Sequence, residues 1–252
     1  MSDSKRSEPG STAPLPWSAT FPVDAALSHD VVSYGPDVDT EAELRLLGHV
    51  EGKRILELGS GAGQAAVALA KQGAHVISVD PTARRHELVR ATADREEVKV
   101  ELHQSDLAEL AFIRADTIDA VLSVYALAGV EDLDRVFRQV HRVLRSECHL
   151  VLSLPHPAFT MLDVSSGLPA GVVGRGYFDR SPRPWAQHDL SGAEYPRTIG
   201  DVFTSLSRAN FRVDTLLEPQ PEPGARRHSS YWTETMAHVP STLVIRARKE
   251  GT

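Results

Sequence analysis

The sequence predicts an α/β fold: a doubly wound, mostly parallel sheet of seven strands. Three observations carry this expectation. Short apolar runs recur between Ala-rich or amphipathic stretches, the alternation expected of strand–helix–strand crossovers. Most of these runs are apolar throughout, as strands covered by helices on both faces must be. The first of them leads into Gly59-Ser60-Gly61-Ala62-Gly63 and then a helical stretch, a junction where backbone amides and a helix N-terminus face a ligand.

Residues 1–20, rich in Ser, Pro and charge, read as a disordered tail, and 21–252 as one domain. Thr40 caps a helix predicted to run to Gly48, with Glu43 three residues on completing a capping box. Residues 53–58 form the first strand and 64–72 a helix stopped by Gly73. The second strand, 75–79, ends at Asp80-Pro81, and a polar helix follows to about Asp94. Strands at 98–102 and 118–124 precede an amphipathic helix at 133–144, which carries Leu133, Val136, Phe137, Val140 and Leu144 on one face. The fifth strand is 150–154. From Pro155 to Pro196 the pattern lapses into Gly, Pro and aromatic residues, among them Tyr177, Phe178, Trp185 and Tyr195. That stretch is too long for an ordinary connection and too aromatic for a linker, so residues 158–196 are expected to form a lid or substrate-binding insertion. A helix at 198–209 and strands at 212–217 and 242–248 close the fold as an antiparallel hairpin.

Composition narrows the function. The 27 Lys and Arg against 34 Asp and Glu give a net charge of -7, which argues against nucleic-acid and anionic-membrane partners. No stretch approaches the roughly 20 apolar residues that span a bilayer. The single cysteine, Cys148, excludes an intramolecular disulfide and points to a reducing, cytoplasmic setting. It lies in an apolar run and reads as a buried structural thiol. With no CxxC, HExxH or G-x-S-x-G pattern, neither a metal site nor a covalent nucleophile is expected.

The glycine loop separates two cofactor classes. A dinucleotide fingerprint, G-x-G-x-x-G, would place its third glycine at position 64, which is Gln. Glu57 also precedes the loop, where it disfavours a pyrophosphate. S-adenosylmethionine carries a cationic amino group and a sulfonium, for which a carboxylate is an asset. An NAD-dependent oxidoreductase is the weaker reading.

Residues 57–63, Glu-Leu-Gly-Ser-Gly-Ala-Gly, resemble the first motif of the class I S-adenosylmethionine-dependent methyltransferases, nearest to small-molecule enzymes of the ubiquinone-biosynthesis type. The resemblance covers roughly residues 34–157 and implies a Rossmann-like sheet. It also implies a cofactor site. Glu57, Gly59, Ser60, Gly61 and Gly63 form the loop. Asp80, followed by Pro81, meets the ribose hydroxyls. Asp106, followed by Leu107, meets the adenine amino group. Ser123 and Tyr125, in the fourth-strand motif, lie beside the methionine part, and Tyr34 closes over the cofactor. Two features depart from the family pattern: Ser60 stands where Cys is frequent, and Arg145-Ser146-Glu147-Cys148 replaces a Pro-Gly-Gly type of turn before the fifth strand.

Methyl transfer from a sulfonium is an in-line displacement with an activated leaving group, so alignment supplies much of the acceleration. A hydroxyl acceptor benefits from a general base. His156, between Pro155 and Pro157 at the carboxyl end of the fifth strand, is the candidate; a turn histidine bonded to backbone is the equal alternative. His188, Tyr195 and Arg197 are candidate substrate contacts. The expected function is methylation of a small molecule at oxygen, nitrogen or carbon. The alternatives are a tRNA base methyltransferase and a catalytically silent cofactor-binding regulator.

Overall fold

The computed structural model describes residues 27–164, 171–187, 190–221 and 229–251; the expected tail and His188 lie outside them. A one-turn helix, α1 (Glu41–Leu44), comes first. Five strands follow: β1 (Arg54–Leu58), β2 (His75–Asp80), β3 (Val100–Gln104), β4 (Ile118–Val124) and β5 (Leu144–Pro155), with helices α2 (Gln64–Lys71), α3 (Ala83–Arg95) and α4 (Leu133–Val143) between them. Beyond β5 come α5 (Pro157–Thr160), the short pair β6 (Leu162–Asp163) and β7 (Val172–Val173), and the hairpin β8 (Arg183–Gln187) and β9 (Leu190–Glu194). Then α6 (Ile199–Arg208), β10 (Phe211–Leu217) and β11 (Thr242–Lys249) complete the order.

The seven-stranded sheet runs β3-β2-β1-β4-β5-β11-β10. Strands β1 to β5 pair in parallel, whereas β11 pairs antiparallel with both β5 and β10. The order reverses between β1 and β4, where open α/β sheets leave a crevice at the carboxyl ends of their strands. One core layer joins Leu56, Leu58, Ile77 and Val79 to Phe137 and Val140 of α4 and Leu206 of α6. Phe137 is wholly buried there, and its truncation to Ala typically costs about 3–5 kcal/mol. The other layer joins Ile55 and Val76 to Ala66, Ala68 and Leu69 of α2. Alternation along each strand therefore turns Glu57, Ser78 and Asp80 toward the α2 side.

Three boundaries differ from expectation, each for a local reason. The first helix stops at Leu44 instead of reaching Gly48. Arg45 adopts φ +50°, and Glu41 turns its carboxylate onto the amides of Leu46, Leu47 and Gly48 at 2.8–3.1 Å. The third strand starts at Val100 because Val98 is spent closing α3, its N–H donating to the Ala93 carbonyl at 3.0 Å. Residues 145–148 are not a free turn: they belong to β5, which bulges at the left-handed Glu147 (φ +63°). Cys148 packs partly buried against the core, which pushes its thiol pKa up. Among the described residues, no helix is long and apolar enough to cross a membrane and no His, Cys, Asp or Glu cluster is arranged to hold a metal.

Candidate active site

The carboxyl ends of β1, β2, β3 and β4 converge on a cleft of about 490 Å³, within the size range of small-molecule sites. Gly59, Asp80, Pro81, Asp106, Leu107 and Ala126 line its floor. Gly59 is required twice over. Its φ is +89°, and a Cβ there would sit 2.0 Å from the Ala126 Cβ. The loop thus presses against the start of the β4 connection, at the topological switch point.

Two acids frame this loop. Asp80 is buried, and its Oδ2 accepts the Ser60 N–H at 3.0 Å while its Oδ1 accepts the Thr82 N–H at 2.9 Å. Arg85 approaches the same carboxylate at 3.6 Å. Asp106 Oδ1 accepts the Ala108 N–H at 2.8 Å, holding the turn after β3 against the cleft. Glu57 is 3% exposed and accepts a hydrogen bond from the Ser78 hydroxyl, which in turn lies 2.8 Å from Ser60 Oγ. Burial raises the Glu57 pKa to about 8, and Asp80 adds to the rise. Glu57, Gly59 and Ser60 also line a narrow recess of about 10 Å³ beside the cleft, closed by Leu27, Ser28 and Ser33.

Other expected site residues go elsewhere. Gly61 (φ +53°) and Gly63 (φ +91°) shape the loop without lining the cleft. Ser123 is buried and donates to the Leu58 carbonyl at 2.8 Å. Tyr125, at φ +59°, turns into the core, where its hydroxyl and Thr242 Oγ1 share a 2.6 Å hydrogen bond; burial raises its pKa. Tyr34 does not cover the cleft. It is fully buried, and its hydroxyl donates to Glu41 Oε2 at 2.5 Å.

His156 likewise points into local contacts. It caps α5, its Nδ1 accepting the Ala158 N–H at 3.1 Å, which leaves the ring proton on Nε2 facing Glu218 Oε1 at 2.8 Å. Both nitrogens have hydrogen-bond partners here and the ring is 3% exposed, the arrangement of a turn histidine. Arg197 spends its guanidinium on the carbonyls of Tyr195, Val130 and Glu131. Tyr195 lines the cleft and is anchored by its N–H to the Ala128 carbonyl at 2.8 Å.

Several cleft residues carry no sequence motif. Trp185, Gly192 and Ala193, from the β8–β9 hairpin, form the wall opposite the glycine loop. Gly192 is held to its residue type by the Trp185 ring, 2.9 Å from where a Cβ would stand. Ser78 was findable in principle: it lies two residues before Asp80, hence on the same face of β2.

The residues present fit S-adenosylmethionine. Acids stand at the ends of β2 and β3, apolar Leu107 and Ala108 lie between them, and a further acid, Glu57, lies behind the glycine loop. Fold and site together define a Rossmann-like cofactor-binding methyltransferase. Comparison with known proteins agrees. Residues 56–152 match the family model of a methyltransferase domain. A ubiquinone biosynthesis O-methyltransferase of Azorhizobium caulinodans is 29% identical over 213 residues, 78% of each chain. An uncharacterized protein of Haemophilus influenzae is 22% identical over 91% of this chain and 94% of its own. The crystal structure of an S-adenosylmethionine-dependent methyltransferase from Mesorhizobium loti superposes with a TM-score of 0.66 at 26% identity, covering 82% of this chain and 96% of that one. The chain is similar to the class I S-adenosylmethionine-dependent methyltransferases, and these likenesses indicate a methyltransferase with S-adenosylmethionine as its cofactor.

Proposed function

We propose that this enzyme methylates a small molecule, with the cofactor lying across the glycine loop. The observation that carries the reading is the β8–β9 hairpin lining the same cleft as the glycine loop. The β8–β9 hairpin lines the cleft with Trp185, Gly192 and Ala193, and in this reading it serves as a lid that limits the size of the acceptor. The net charge of -7 adds to the case against a tRNA substrate. The ubiquinone-biosynthesis name of the Azorhizobium relative supports an acceptor of modest size.

Within this reading Asp80 receives the ribose hydroxyls, Asp106 the adenine amino group and Glu57 the cationic amino group. The bound cofactor supplies an electrophilic methyl on a sulfonium. Gly59 and Ala126 would lie beside that end of the molecule, with Trp185, Gly192 and Ala193 of the hairpin lining the same cleft. Such alignment is worth up to about 7–11 kcal/mol in favourable systems. The acceptor enters beside a small, largely apolar cavity of about 30 Å³, bordered by Leu154, Pro157, Leu243 and Tyr195. The buried Glu194, paired with Arg183 at 3.4 Å, is its acidic wall.

The decisive experiment is mass spectrometry of a cell extract incubated with the enzyme and methyl-labelled cofactor. A labelled small metabolite supports the proposal. Label confined to tRNA overturns it.

A further inference from the structure

Glu57, Ser78 and Ser60 form a connected polar chain beneath the glycine loop. Glu57 pairs in register with Ser78 on the adjacent strand, so their side chains leave the sheet on the same face. Ser78 is fully buried, and Ser60 is 2% exposed. From Ser60 the chain continues through its own N–H to Asp80. A carboxyl in this position faces few charges. From β2 the charged neighbour is Asp80, of like sign, and from α2 comes the Ala66 amide. Leu27, Ser28, Ser33, Gln64, Ala65 and Val124, which line the recess with it, are uncharged. Arg85 lies on Asp80, one acid further along.

We propose that Ser60 and Ser78 are positioning residues that orient Glu57, a neutral acid in the unliganded protein, and that Glu57 releases its proton to solvent when a cationic ligand binds beside it. This rests on reading the recess as the seat of the cofactor's amino group. A hydroxyl suits both states. When Glu57 is ionised, Ser60 donates to Ser78 and Ser78 to the carboxylate. When Glu57 is neutral, its own O–H donates to Ser78, whose hydroxyl then rotates. Burial without a counter-cation supports the neutral form, raising the acid from 4.5 to about 8. An ammonium within a few ångströms favours the carboxylate and reverses the balance.

The test is calorimetry with S-adenosylhomocysteine, which keeps the ammonium group, at pH 7 in phosphate and in Tris buffers. The wild type is expected to release close to one proton on binding. Its affinity rises nearly tenfold from pH 6 to pH 7, because both values lie below the pKa of the unliganded acid. Glu57→Gln releases none by this route and has a flat profile. Ser78→Ala lowers affinity about 10- to 100-fold by removing a hydrogen bond to the charged form, moves the pH at which affinity levels off upward, and is rescued by Ser78→Thr. Equal proton release by wild type and Glu57→Gln overturns the proposal, while failure of the wild type to bind overturns the cofactor seat itself. A ligand-free readout stands apart from both. A group whose pKa is raised on folding binds more protons in the native state, so wild-type stability falls relative to Glu57→Gln as pH rises from 4.5 to about 8. Parallel stability curves overturn the proposal whatever the ligand does.

Discussion

Asp80 accepts the Ser60 amide hydrogen at 3.0 Å, joining the carboxyl end of β2 to the glycine loop that follows β1. The same carboxylate accepts the Thr82 amide, so it supports two backbone turns as well as facing the cleft.

Asp80→Ala is therefore expected to weaken both the fold and cofactor binding. Two backbone donors lose a buried carboxylate, at about 1–3 kcal/mol for each group left unsatisfied. Urea denaturation should show that loss, and calorimetry a drop of 10- to 100-fold in affinity for S-adenosylhomocysteine. Wild-type stability in the variant would mean that water satisfies both amides and that Asp80 serves the ligand alone.

Gly59→Ala should abolish measurable cofactor binding, since its Cβ would overlap that of Ala126 and its φ of +89° disfavours any side chain. The double variant with Ala126→Gly removes the overlap but keeps the strained φ. Affinity should therefore return in part, and the two substitutions should couple by about 0.5–3 kcal/mol in a double-mutant cycle. Strict additivity would refute a direct clash.

His156→Ala is expected to cost about 1–2 kcal/mol of stability, the usual loss for a helix cap, while cofactor affinity holds and turnover falls far less than the 100-fold or more of a lost general base. Burial holds the His156 pKa below its ordinary 6.5, with the Glu218 contact opposing the shift only in part. The unfolded chain thus binds the proton more readily than the native one. The stability contributed by the neutral ring is complete above pH 6.5 and is lost as the pH falls toward the folded-state value, when the Nδ1 lone pair that holds Ala158 is protonated. Thermal melts between pH 5 and 8 would test this; a wild-type profile superimposable on that of the variant would remove His156 from the account.

Most of the sheet was legible because buried parallel strands leave an unbroken apolar signature. Residues 118–124, for instance, were located to the residue. The glycine loop and the strand-end acids Asp80 and Asp106 were legible because backbone geometry and topology, rather than packing, place them. Side-chain direction was not. Tyr34, Tyr125 and His156 turn toward Glu41, Thr242 and Glu218, and two of these partners lie 117 and 62 residues away in the chain. The β8–β9 hairpin was hidden because a ribbon over a cleft shows no regular apolar alternation. The pairing of Glu57 with Ser78 depends on strand register, which no local pattern encodes.

The placement of β11 has a consequence for how the protein is made. This strand lies between β5 and β10, yet it is synthesised after both. While the ribosome is still short of residue 242, β5 presents an unpaired edge and β10 has no neighbour to join. A bare edge of that kind invites pairing with other chains. The nascent chain must keep the strand Leu144–Pro155 from misassociating across a gap of nearly 90 residues, and the antiparallel closure that then forms is its slow, long-range step.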